Sequence, residues 1–124
     1  MKQAMKDEIY RIFDRLIAAI KSEGADNLSI YGISPAIYDE ITEELARSGE
    51  DVEGLRVPPH NIAFQADSTG QIPFDIVESN VGKDIGRVYC RLWNVDGESE
   101  LTMVADVNQD SNNLTLIFRL LETQ

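Results

Sequence analysis

Positive charge is scarce in this chain. Its 124 residues carry 11 Lys and Arg against 22 Asp and Glu, a formal net charge of −11 and a sequence pI near 4.3. A nucleic-acid binder displaces counterions with a basic footprint, so direct DNA or RNA binding is not expected. The same sign argues against anionic membrane surfaces. Long apolar runs are missing too: Leu16 to Ile20 and Leu114 to Leu121 are the longest apolar stretches, far short of the roughly 20 residues of a membrane span. The lone cysteine, Cys90, cannot close an internal disulfide, which fits a reducing compartment. The N-terminus alternates charged and apolar residues, unlike a secretory signal, so the expected location is the cytoplasm.

Motifs that carry chemistry are equally sparse. One histidine, His60, and one cysteine offer no set of three or four ligands at zinc spacing. A Cys90–His60 nucleophilic pair requires the Pro58-Pro59 segment to fold back onto a sheet whose core face Cys90 occupies. Asp106-Val107-Asn108-Gln109-Asp110 lacks the central glycine and terminal glutamate of a calcium loop. Gly82, Gly86 and Gly97 lie in no strand-glycine-helix order that could cradle phosphate. Neither a metal nor a cofactor is expected.

What is present suffices for one folded domain over residues 1–124. Apolar residues make up 43% of the chain, with four Phe, four Tyr and one Trp to fill a core. Between Lys2 and Glu23, Met5, Ile9, Ile12, Phe13, Leu16, Ile17 and Ile20 recur at spacings of three and four, predicting an amphipathic helix that ends at Gly24. Asp26 to Ile33 reads either as loop or as a short extended piece. Ser34-Pro35 then supplies an N-cap and a proline at the first helical position, and the stripe Ile37, Tyr38, Ile41, Leu45 predicts a second helix stopping at Gly49.

Val57-Pro58-Pro59 separates this helical half, residues 1–56, from an antiparallel sheet over 61–124. Ile62, Phe64 and Ala66 alternate as a strand does, and so do Ile72, Phe74 and Ile76, where Pro73 demotes the run to an edge. Three further strands, Arg87 to Trp93, Glu100 to Val107 and Leu114 to Leu121, are expected to pair with Phe118 opposite Met103, Leu116 opposite Ala105 and Leu120 opposite Leu101. That register places Arg87 across from Asp106 and puts Arg87, Tyr89, Arg91 and Trp93 on the face away from the core, beside Val104, Ile117, Arg119 and Leu121.

The acids are unevenly distributed. Asp39, Glu40, Glu43, Glu44, Glu50, Asp51 and Glu53 face a single base, Arg47, between Ser34 and Gly54. On the second helix, Asp39/Glu43 and Glu40/Glu44 stack at a spacing where like charges cost a few tenths of a kcal/mol, which helix stability does not explain. Two readings stand: a solvated face that maintains solubility, or a docking surface for lysines and arginines of a partner. A second candidate surface is the Tyr89, Arg91 and Trp93 stripe, since aromatic and Arg side chains dominate binding hot spots.

Two N-terminal helices followed by a curved antiparallel meander resemble the cystatin-like α+β cone of the nuclear-transport-factor and ketosteroid-isomerase superfamily. Ile33-Ser34-Pro35, Val57-Pro58-Pro59, Arg91-Leu92-Trp93 and Gly97-Glu98-Ser99-Glu100-Leu101-Thr102 are similar to small bacterial immunity proteins of polymorphic-toxin and contact-dependent growth inhibition systems. The resemblance implies a non-catalytic, one-to-one inhibitor of a basic toxin domain of nuclease activity. A long-range −11 field, which attracts basic proteins, is consistent with that partner. The same superfamily also implies an alternative, an isomerase or hydratase using the cone's cavity, in which Asp75, Asp106 and Tyr89 could be cast as acid/base groups. A further alternative is an acidic secretion chaperone, although such chaperones end in a helix and this sequence ends in the strand pattern Leu114 to Leu121.

Overall fold

The structure, a computed structural model, describes residues 1–22 and 25–123. Helix α1, Gln3–Lys21, buries Ile9, Phe13, Leu16, Ile17 and Ile20, the stripe that its spacing of three and four predicts. Its last turn is fastened where Lys21 Nζ donates to the Leu55 carbonyl at 3.0 Å, a cation at the negative end of the helix dipole. Gly24, the expected stop, lies outside the described residues. Beyond it the chain coils rather than extends: α2, Ala25–Leu28, runs into a 3₁₀ turn at Ser29–Tyr31, and Leu28, Tyr31 and Ile33 are buried.

Helix α3, Pro35–Arg47, begins as its sequence predicts, with Ser34 Oγ accepting the Ile37 amide at 3.2 Å. It ends in a Schellman motif. Gly49 takes φ 74°, its amide donates to Ala46 O at 3.1 Å, and the Glu50 amide donates to Leu45 O at 2.9 Å. Ile41 and Leu45 are buried, so the helix sits with one side on the core and the carboxylates of its other side turned outward.

The alternation of Ile62, Phe64 and Ala66 does not form a strand. Residues His60–Ala63 make a single helical turn, α4, because that turn brings His60 and Phe64 together against Tyr10 of α1. Ring centroids lie 5.1 Å apart for Tyr10–His60 and 6.1 Å for Tyr10–Phe64, both edge to face. Tyr10 also donates its hydroxyl to Pro58 O at 2.7 Å, and Ala63 is fully buried.

The remainder is one open antiparallel sheet of four strands in the order β1-β2-β3-β4: Phe74–Val81, Asp84–Asn94, Gly97–Asp110 and Asn113–Thr123. The fold is α+β, helices first and strands after. Pro73 stands just ahead of β1, an edge strand, where its missing amide is harmless. One face of the sheet contributes Val88, Cys90, Leu92, Met103, Ala105, Val107 and Leu116 to a continuous core shared with α1 and α3.

The β2–β3 register places Arg87 opposite Asp106, as the sequence predicts. The β3–β4 register differs. Leu116 pairs with Val107 and Phe118 with Ala105, two residues from the expected partners, and a bulge follows, after which Leu120 pairs with Val104 and Leu121 with Met103. A bulge holds two residues against one, so side-chain alternation is interrupted at Arg119 and Leu120. Leu121, expected on the outer face, packs against the core, and Leu120, expected inside, is exposed.

Candidate functional site

Two surfaces gather the charged residues singled out by the sequence. On α3, Asp39, Glu40 and Glu43 are exposed, and among the described residues none of them forms an ion pair. The other acids of that segment have work within the fold. Glu44 pairs with Arg47 and accepts the Thr123 hydroxyl at 2.9 Å, fixing α3 to the end of β4. Glu50 accepts Asn94 Nδ2 at 2.8 Å, and Asp51 caps the 3₁₀ turn Val52–Gly54 by accepting the Glu53 amide at 3.2 Å. Glu53 is exposed.

Between α3 and β4 runs a groove of about 300 Å³. Its walls combine Ile41, Phe118, Leu120 and Leu121 with Glu40, Glu43, Glu44, Arg47 and Arg119. Apolar side chains beside three carboxylates suit a lysine or arginine, whose alkyl stem packs on the former while its cation meets the latter.

The second surface is the sheet face turned away from the core. Asp106 of the inner strand β3 is 3% exposed and is gripped from both sides. Arg87 Nε donates to Oδ1 at 2.7 Å and Nη2 to Oδ2 at 3.4 Å, and Arg119 Nε donates to Oδ2. Burial pushes the Asp106 carboxyl up, but the hydrogen bonds and charges of Arg87 and Arg119 outweigh it and hold it below the usual carboxylate value. Arg87 is raised in turn, first by its bonds to Asp106 and then by the neighbouring Tyr89. Isomerase-type chemistry with Asp106 as a proton donor asks for the opposite shift.

Tyr89 and Arg91 come together at one end of this face, in an open hollow of about 350 Å³ shared with Asp67, Asp75, Glu98 and Thr102. Arg91 is anchored there by Glu98 Oε1 at 2.9 Å, Ser99 O at 3.3 Å and Gln71 Oε1 at 3.4 Å. Asp67 organises the loop, accepting from the Thr69 amide at 2.8 Å and the Gln71 amide at 3.1 Å, and the bonds from Thr69 lower its pKa. Trp93 is not a wall of this hollow. It follows a register shift, stands opposite Glu98, and exchanges backbone hydrogen bonds with Arg56 at 2.8 and 2.9 Å.

Cys90 and His60 do not form a catalytic pair. The Cys90 thiol is fully buried, which pushes its pKa up and suppresses the thiolate, while His60 Nε2 bonds Asp7 Oδ1 at 2.8 Å on the exposed side of α1. Asp7 is lowered by its bond from Gln3 and then by that with His60. Among the described residues, no three His, Cys, Asp or Glu side chains converge as a metal site, and no helix is long and apolar enough to cross a membrane.

Sequence reasoning set Arg119 on the outer face and Asp106 opposite Arg87, but missed that Asp106 ties both arginines and that Leu120 is exposed. The Arg87–Asp106 pairing was the available signal, whereas the exposure of Leu120 depends on the bulge. No protein family, curated protein or solved structure matches the chain.

Proposed function

We propose that this chain is a binding protein that neutralises a basic protein partner by covering its functional surface, with no chemistry of its own. The observation that carries this reading is the exposed carboxylate row Asp39, Glu40 and Glu43, without ion pairs among the described residues, beside the partly apolar groove between α3 and β4. Like charges stacked on a helix slightly oppose its formation. Seven acids against the single base Arg47 between Ser34 and Gly54 hold over half of the chain's net charge of −11, a field that accelerates encounter with a cationic partner. The resemblance to bacterial immunity proteins gives the partner's class as a toxin domain with nuclease activity, whose nucleic-acid site is basic. A cone-like curvature of the open sheet is a further expectation of that same resemblance.

The test is co-expression with the product of the adjacent upstream gene, followed by co-purification at low and high salt and a growth-rescue assay. The expected result is a one-to-one complex whose association slows as salt rises. Glu40→Lys/Glu43→Lys is expected to reduce the association rate about tenfold or more at low salt while leaving the unfolding midpoint in place. An unchanged rate moves the contact off α3, and the absence of both complex and rescue overturns the reading.

A further inference from the structure

We infer that the outer face of the sheet is a second docking surface, centred on Arg87 and Arg119, that receives a carboxylate carried by an extended segment of a protein partner. The two guanidiniums and Asp106 sum to one positive charge in a chain of net charge −11. The carboxylate side chain is only 5% exposed, whereas the Arg87 and Arg119 side chains are 48% and 49% exposed. Asp106 therefore acts as a buried post that fixes two cations at the surface. Among the described residues, the Nη groups of Arg119 donate to none, because only its Nε reaches Asp106. Free donors in a planar fork match a carboxylate.

Stability alone does not account for this arrangement, since a buried ionic cluster is commonly matched by apolar side chains of similar volume. The bulge points the same way. It places Leu120 beside Arg119 on the outer face, where Leu120 is 42% exposed and pairs across from Val104. Tyr89, on the other side of Val104, is 38% exposed, and Val77 of β1 is 52% exposed. An aromatic, two aliphatics and two arginines thus span all four strands, about 14 Å across at three inter-strand spacings. That width exceeds what a small anion covers and suits an extended peptide with one acidic residue among apolar ones.

Arg119 and Leu120 also wall the groove beside α3, so the two readings meet at the β4 edge and are told apart by the opposite sign of their ligands. The test selects displayed random short peptides on the full chain carrying Asp39→Asn/Glu40→Gln/Glu43→Gln, which silences α3 for basic peptides. Enriched peptides are expected to hold an Asp or Glu next to apolar side chains. Replacing that acid by its amide, or Arg119 by Gln, is expected to weaken binding about tenfold. Leu120→Asp, at an exposed position, is expected to do the same if Arg119→Gln perturbs folding. Failure to enrich peptides, enrichment without a required acid, or equal binding to both variants overturns the inference. Full competition by inorganic phosphate, with no contribution from the flanking apolar residues, assigns the arginines to a small anion and overturns it as well.

Discussion

The acidic side of α3 and the outer face of the sheet use charge in opposite ways. Asp39, Glu40 and Glu43 project from a helix without cationic partners among the described residues, whereas Arg87, Arg91 and Arg119 are each held by an ion pair. Unpaired exposed charges on long side chains act through the field they generate, which sets encounter rate and is screened by salt. Charges fixed by a buried carboxylate act at contact distance, where geometry discriminates between partners. The helix is thus suited to attraction and the sheet to recognition, and α3 is attached through its buried side and the Glu44–Thr123 hydrogen bond.

The largest expected effect breaks that attachment. Ile41, 2% exposed, packs α3 on the core, and Ile41→Ala is expected to cost about 2–4 kcal/mol through lost burial and a residual cavity, read as a lower urea midpoint. A smaller loss places the anchoring of α3 elsewhere, at Glu44 and Thr123.

Removing the post of the sheet face comes next. Asp106→Ala leaves two guanidiniums unpaired, but both are half-exposed and water screens them, so a loss of about 1–2 kcal/mol is expected rather than the full penalty of an orphaned buried charge. The pH dependence sharpens the assignment. The folded-state pKa of Asp106 is lowered, so its contribution is complete above the ordinary carboxylate value of about 4 and disappears as pH falls through the lowered folded value. The gap between the native chain and Asp106→Asn in urea unfolding should therefore narrow as pH falls below about 4. A gap constant across that range places the stabilisation in packing rather than charge.

Much of the fold was legible in local pattern. The stripe of α1, the Ser34-Pro35 start and Gly49 stop of α3, the order of β2 to β4 and the Arg87–Asp106 pair all follow from periodicity and capping chemistry. The misses have physical causes. A slip of two residues between β3 and β4 preserves which face every side chain occupies, so an apolar pattern of period two cannot tell Phe118 opposite Met103 from Phe118 opposite Ala105. The bulge at Arg119 and Leu120 breaks the period itself, and for that reason the outer surface was misread at Leu120 and Leu121. The turn of α4 was hidden because Ile62, Phe64 and Ala66 fit strand spacing, while the contacts that select the helical turn come from Tyr10, some fifty residues earlier in the chain. The acidic segment was legible as charge, but the division between outward carboxylates and Glu44, Glu50 and Asp51, which brace the fold, required tertiary contacts.

The smallest expected effect bears most directly on the contrast between the two surfaces. If the carboxylates of α3 have no structural role, removing them should not destabilise the domain. Asp39 and Glu43 stand one turn apart with like charge, so Asp39→Asn/Glu43→Gln is expected to raise stability by a few tenths of a kcal/mol at low ionic strength, a gain that fades as salt screens the repulsion. Thermal unfolding at two salt concentrations measures it. The same double variant is expected to bind a basic partner more slowly, giving opposite signs for stability and association, as expected of residues that serve binding at the expense of the helix that carries them. Asp106→Asn, by contrast, is expected to lower both stability and any sheet-face binding, because there one carboxylate holds the strand pairing and positions the arginines together.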